Sequence, residues 1–309
     1  MKTTYSREYL KSVLQALFVT VLWSSSWVII KFELEEIPPL YFAGLRYLVG
    51  AITLMLLLIA RSEHRLTLKN QSKRSIAYLS IYGVVFITFT QGGMFLALSL
   101  LPAITTAFLL NLTPFIVIIF SIFFLREVPS RFELLLFLIV FIGILIYFFP
   151  LQFDIASLAG LLVGLGVLLV NALSSIIGRA INRESNISPL VVTGVSMSIG
   201  TFFLLIGASI VETFPAISLS SLIAILWLGV VNTAFAFTLW NNAMRKIRAM
   251  EMSIINGVMF PQIVLLSIIF LAEMPSMKEW VGLLIMVSTA FVLQLSQARV
   301  NNSNKKIEK

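Results

Sequence analysis

Residues 121–130 read SIFFLREVPS and residues 267–276 read SIIFLAEMPS, seven identities in ten at an offset of 146. Glu133 and Glu279 extend the match downstream, and Gly83 with Gly229 and Ala97 with Ala243 extend it upstream. A second pair agrees at an offset of 150: PLYFAGLRYLVG (39–50) faces PLVVTGVSMSIG (189–200). The chain is therefore two copies of one unit. Both copies are strongly apolar, with 59% hydrophobic and 12% charged residues overall. Soluble domains carry about 25% charged residues, so the composition specifies a polytopic membrane protein.

A spanning helix needs about 20 mostly apolar residues. Ten such segments are placed at 12–30, 39–60, 76–98, 102–125, 132–149, 158–178, 189–211, 219–240, 250–271 and 279–297. The first repeat then covers 12–149 and the second 158–297, with polar tails at 1–11 and 298–309. The first segment lacks a small-residue cleavage site and reads as a retained span. Most prolines sit at segment ends, where a missing N–H is tolerated. Pro114 and Pro261 fall inside segments four and nine at corresponding positions, which predicts a kink in each.

Nineteen of the 22 Lys and Arg lie on the side that holds both tails. The opposite loops hold only Lys31 and Lys278, and Arg46 lies within segment two. By the positive-inside rule both termini are cytoplasmic. The net charge of +8 then faces anionic headgroups, and nucleic acid is not needed as a partner. Five spans per copy is an odd number, so the second copy is inverted relative to the first. The expected fold is an all-α membrane protein of ten helices in two inverted five-helix repeats, in the cytoplasmic membrane. Such repeats mark many secondary transporters.

The chain has no cysteine and its single His64 lies in a charged loop. No paired-carboxylate, HExxH, P-loop or nucleophile–His arrangement is present, so no catalytic residue, metal or cofactor is expected. Arg46 is the one ionisable residue well inside a span, about 10 Å past Pro39 at about 1.5 Å per residue. Such a charge marks function or a partner, with snorkelling as the alternative. Glu127 and its mate Glu273 end segments four and nine at opposite faces, and Glu251 starts segment nine. These carboxylates read as helix caps or ion pairs, or as gates.

Polar side chains recur at helical spacing. Asn171, Ser174, Ser175 and Gly178 share one face of segment six, and Asn232, Ala236 and Trp240 one face of segment eight. Trp23 and Ser24 in segment one, Gln91 in three, Asn111 in four, and Asn256 and Gln262 in nine complete the candidate solute cavity. Small and polar residues are also the normal contacts between membrane helices. Segments five and ten lack a polar stripe. They suit the lipid-facing periphery or a homodimer contact, which leaves one, three, four, six, eight and nine around the cavity.

The motifs WSSSWVIIK (23–31), PPLYFAGLRYLVGA (38–51), FLREVPS (124–130), LGVVNTAFAFTLW (228–240) and EWVG (279–282) together resemble the drug/metabolite transporter superfamily with two EamA-type domains. The resemblance spans 12–297. It implies ten helices in a five-plus-five arrangement, alternating access, and small organic cargo such as amino acids, purines or drugs, often exported. Ser24 and Ser25 stand where many relatives have Gly. The small four-helix relatives use a membrane Glu in their first helix. None is present here, so their proton exchange does not carry over. The alternatives are a non-transporting receptor or scaffold, a channel and a proton-coupled drug exporter. With no titratable group at mid-depth, the expected mode is facilitation down the solute's own gradient.

Overall fold

A computed structural model describes residues 7–60, 71–125, 129–149, 155–184, 187–244, 247, 252 and 255–307. Glu127, Glu251 and His64 lie outside the described residues. Among the described residues every regular element is helical. Nine helices among the described residues are long and apolar enough to cross a membrane, and Ile255–Leu271 is a shorter tenth. They are α1 (Arg7–Glu33), α2 (Pro39–Ala60) and α3 (Lys73–Leu100). Next come α4 (Ala103–Leu110, then Thr113–Leu125), α5 (Arg131–Phe148), α6 (Ile155–Glu184) and α7 (Pro189–Val211). The last three are α8 (219–244), α9 (Ile255–Leu271) and α10 (Met277–Ile307). The ends of α1, α3, α7 and α9 meet the starts of α2, α4, α8 and α10 at one face, the far face, and the opposite end of the bundle, where Arg7 and Ile307 lie, is the terminal face.

Three helices outrun their expected ends. α1 begins at Arg7, α6 continues to Glu184 and α10 to Ile307. The tails expected at 1–11 and 298–309 are thus helical over 7–11 and 298–307. Hydropathy marks where hydrocarbon ends. Backbone hydrogen bonding continues into water wherever the residues favour it.

Serine caps the start of four of the described helices. Ser72, Ser130, Ser188 and Ser218 each accept the backbone N–H three residues on, at the head of α3, α5, α7 and α8. This satisfies one of the orphan amides of a helix end. Ser130 and Glu133 form a reciprocal capping box. The pairing recurs 146 residues on, where the Ser276 N–H donates to Glu279 Oε2 at 2.6 Å. α2 and α4 follow Pro38 and Pro102, which offer no such hydroxyl.

The duplication is visible in the backbone itself. Val84–Gln91 in α3 and Val230–Phe235 in α8 wind as π-helix, and their starts are again 146 residues apart. Gly83 and Gly229 precede these wide turns. A Cβ on Gly83 would stand 2.2 Å from the Ser196 carbonyl oxygen, and one on Gly229 2.9 Å from that of Arg46. Ser196 and Arg46 are themselves repeat mates at an offset of 150. The crossing of α3 on α7 is therefore repeated by α8 on α2. α2 and α7 pack along each other between these crossings.

Both interior prolines mark breaks. α4 turns at 111–112, and the freed Leu110 carbonyl accepts the Thr113 hydroxyl. α9 turns at Val258, ahead of Pro261. Each proline removes the amide its i−4 carbonyl would use. α5 and α10 pack on each other, with the Gly143 carbonyl oxygen 2.8 Å from where a Gly282 Cβ would stand. Leu134, Leu138, Phe141 and Leu145 of α5 are left exposed on its other side.

Candidate functional site

The structure divides the sequence candidates into three groups. The first ties α1 to α8 and α9. The Trp23 indole N–H donates to the Asn232 carbonyl at 3.1 Å. The Asn232 side-chain amide donates to the Leu22 carbonyl and, at 3.0 Å, to the Ser26 hydroxyl. Its Oδ1 is buried with no partner. The Ser24 hydroxyl meets Gln262 Oε1 at 3.2 Å, and Gln262 Nε2 reaches Thr20 at 3.3 Å. The Trp23 ring lies 5.4 Å from Phe237 and 5.0 Å from Trp240. Asn232 and Ser24 are fully buried, so their polar atoms serve helix packing in this conformation. The Trp23 and Trp240 rings are half-buried and form the aromatic wall.

The second group surrounds Arg46, which is 5% exposed. Its Nε donates to the Thr233 hydroxyl at 3.3 Å. The guanidinium carbon lies 5.3 Å from the Tyr47 ring centre and 5.8 Å from that of Phe95. Cation–π attraction offsets part of the desolvation of a buried guanidinium. The Tyr47 hydroxyl donates to Gln91 Oε1 at 2.7 Å, at the last residue of the α3 π-segment.

The third group lies at the α4 break. Asn171 of α6 donates to the Thr113 hydroxyl at 2.9 Å, and Asn111 donates to the Ala107 carbonyl at 2.9 Å. Ser175, one turn along α6, is exposed. Asn256 is exposed at the start of α9, and no hydrogen bond joins it to the other candidates.

Charged side chains close the far face in a pattern that sequence reasoning missed apart from Glu273. The Glu273 carboxylate accepts the Ala103 and Ile104 amides at 2.6 and 2.9 Å. Glu212 accepts those of Leu40 and Tyr41 at 3.0 and 2.9 Å. Both carboxylates come from the second repeat and hold the two first-repeat helices that begin after proline. A carboxylate there also meets the positive end of the helix dipole. The Lys31 ammonium donates to the Leu98 and Leu101 carbonyls at 2.7 and 2.8 Å, at the negative end of α3. Glu36 accepts the Ser218 hydroxyl at 3.0 Å. The signal that could have found Glu212 was the missing N-cap at Pro38 and Pro102. A buried helix start without a local cap needs one from elsewhere.

Among the described residues the far half of α4 packs against α1, α3, α6 and α9, and its terminal half, beyond the 111–112 turn, packs chiefly on α6. Asn171 and Ser175 lie on the α6 side of the bundle and Trp240 on the α1–α8 side.

Asn171→Ala and Asn232→Ala are expected to lower transport several-fold while leaving the amount of folded protein unchanged. An interhelical amide bond in a membrane contributes only about 0.6 kcal/mol, too little to unfold ten packed helices. Solute uptake normalised to the monodisperse peak in size-exclusion chromatography is the measurement. Wild-type transport in both variants removes Asn171 from the solute's path and the Asn232 contact between α1 and α8 from the transport cycle.

Comparison with known proteins is consistent with this geometry. The EamA-like transporter family matches residues 10–149 and 158–295. The uncharacterized transporter YoaV of Bacillus subtilis is 26% identical over 249 residues, covering 79% of this chain and 82% of that protein. A probable amino-acid metabolite efflux pump of Salmonella typhimurium is 28% identical over 236 residues, covering 73% and 75%. One solved crystal structure, 18% identical, superposes with a TM-score of 0.65 over 96% of this chain and 99% of its own, a likeness of fold.

Proposed function

Because the chain belongs to the EamA-like transporter family, we propose that it carries a small polar or amphipathic, amino-acid-like solute by alternating access, with export as the net direction. It is a multi-pass cell-membrane transporter and not an enzyme. The observation that carries the mechanism is the closure of the far face, where four charged side chains tie helix ends together. Two like halves meeting at reciprocal glycine crossings give two equivalent packings, one closed at each face. Asn171, Gln91, Arg46 and the Trp23–Trp240 wall meet the solute between them. The name of the Salmonella relative supports export and amino-acid-like cargo.

The lysine and arginine bias supports cytoplasmic termini, with the second repeat inverted. A cysteine at Ser157 in this Cys-free chain is then labelled from outside intact cells. Labelling at Ser72 instead reverses the orientation.

Facilitation is the proposed energetics. Glu212 and Glu273 already hold helix amides, and no Asp or Glu lies at mid-depth to carry a proton through the cavity. Proteoliposomes loaded with an excess of candidate solute should show counterflow without a pH gradient or potential. Uphill accumulation of a neutral solute on an imposed proton gradient, abolished by Glu273→Gln, overturns facilitation. Absence of counterflow across an amino-acid and amine panel overturns the transporter's proposed cargo class.

A further inference from the structure

We propose a second solute site in the seam between α9 and α10, which shares only Asn111 with the central groups. It would take a small aromatic amine or alcohol that reaches it from the lipid. A cavity of about 260 Å³ lies there, lined among others by Asn111, Gly257, Phe260, Ser288, Phe291 and Gln294. It sits just below the size of drug-binding pockets, about 300–1,000 Å³, which suits a single substituted ring. The walls are mostly apolar, but one acceptor is unpaired. Gln294 Oε1 is buried with no hydrogen-bond partner. An orphan buried acceptor costs about 1–3 kcal/mol, and a ligand N–H or O–H would remove that cost. An unpaired acceptor, with no cation among the lining residues, selects donors over carboxylates.

The position explains the route. α9 packs against α1 and the far half of α4, while α10 packs against α5, so the cavity occupies the seam between two packed pairs. Val258 and Phe291, both in the lining, are 39% and 46% exposed, which makes an apolar threshold to the bilayer. Asn111 lies at the inner wall, at the turn where α4 breaks. A molecule partitioned into the membrane would therefore pass the seam and arrive beside the α4 hinge. The role as an access port rests on the transporter reading, but occupancy of the cavity does not.

The test uses the full chain in phosphatidylethanolamine–phosphatidylglycerol nanodiscs, with Ser288→Cys as its single thiol. Alkylation by N-phenylmaleimide is timed with 2-phenylethylamine, 2-phenylethanol or ethylbenzene present at equal membrane concentration. The two donors are expected to slow labelling about five-fold more than ethylbenzene, the value of one buried hydrogen bond. Gln294→Leu is expected to erase that difference, and Ala290→Leu, which fills the cavity, to erase protection by all three. Equal protection by ethylbenzene, a donor preference that survives Gln294→Leu, or protection that survives Ala290→Leu overturns the site. Protection retained in a chain showing no counterflow sinks the proposed cargo class and leaves the site standing. Counterflow without protection does the reverse.

Discussion

Gly83→Leu is expected to abolish the folded protein, and Gly83→Ala to lower its melting temperature in detergent by several degrees. Alanine favours a helix over glycine by about 1 kcal/mol, so a neutral site would be stabilised. At Gly83 the new Cβ would stand 2.2 Å from the Ser196 carbonyl oxygen, which is backbone and yields only if α3 and α7 separate. Overpacking of this kind costs about 1–3 kcal/mol and more for leucine, and it exceeds the propensity gain. Gly207 has no neighbour within 4 Å of a built Cβ, so Gly207→Ala is the matched control and should hold or raise the melting temperature. Gly200, whose Cβ would meet the Gly83 carbonyl oxygen at 2.2 Å, should behave as Gly83 does. If Gly83→Ala and Gly207→Ala melt together, the crossing is not as close as described.

Glu273→Ala is expected to unlatch the far face. Its carboxylate holds two successive amides of α4 from the opposite repeat. Hydrogen bonds to charged groups contribute about 1.5–3 kcal/mol each. Water replaces part of that at a membrane surface, so a net loss of about 2 kcal/mol, roughly thirty-fold in the closing equilibrium, is the expected size. Ile104 is 3% exposed beneath this latch. A cysteine there should be modified by a membrane-impermeant maleimide from the far face roughly thirty-fold faster in the Glu273→Ala background. Glu279 caps only its own helix, through Ser276, so Glu279→Ala should leave the rate unchanged. Equal acceleration by both variants would assign the effect to general loosening rather than to the latch.

Much of the fold is legible because hydrophobic length and repetition are local properties of the chain. The duplicated PS-x-x-E runs at 129–133 and 275–279 became capping interactions at both sites. Pro114 and Pro261 became breaks because a missing N–H acts on the helix that contains it. The site was less legible. A polar residue within an apolar span signals that it needs a partner, but not whether that partner is a solute or a neighbouring helix. Asn232 found α1, and Gln91 found Tyr47. Asn256, with the same residue type, is exposed.

By itself the sequence determined ten apolar segments, two copies, the charge bias across them and the places where helices start and break. Each of these depends on residues within one turn, one segment or one flanking loop. Only the tertiary structure decided which ends are tied together. Glu212 reaches α2 across 172 residues, Glu273 reaches α4 across 170, and Lys31 holds the end of α3 across 67. Side-chain charge is encoded locally, but its partner is chosen by how the two halves pack, and that choice closes the far face.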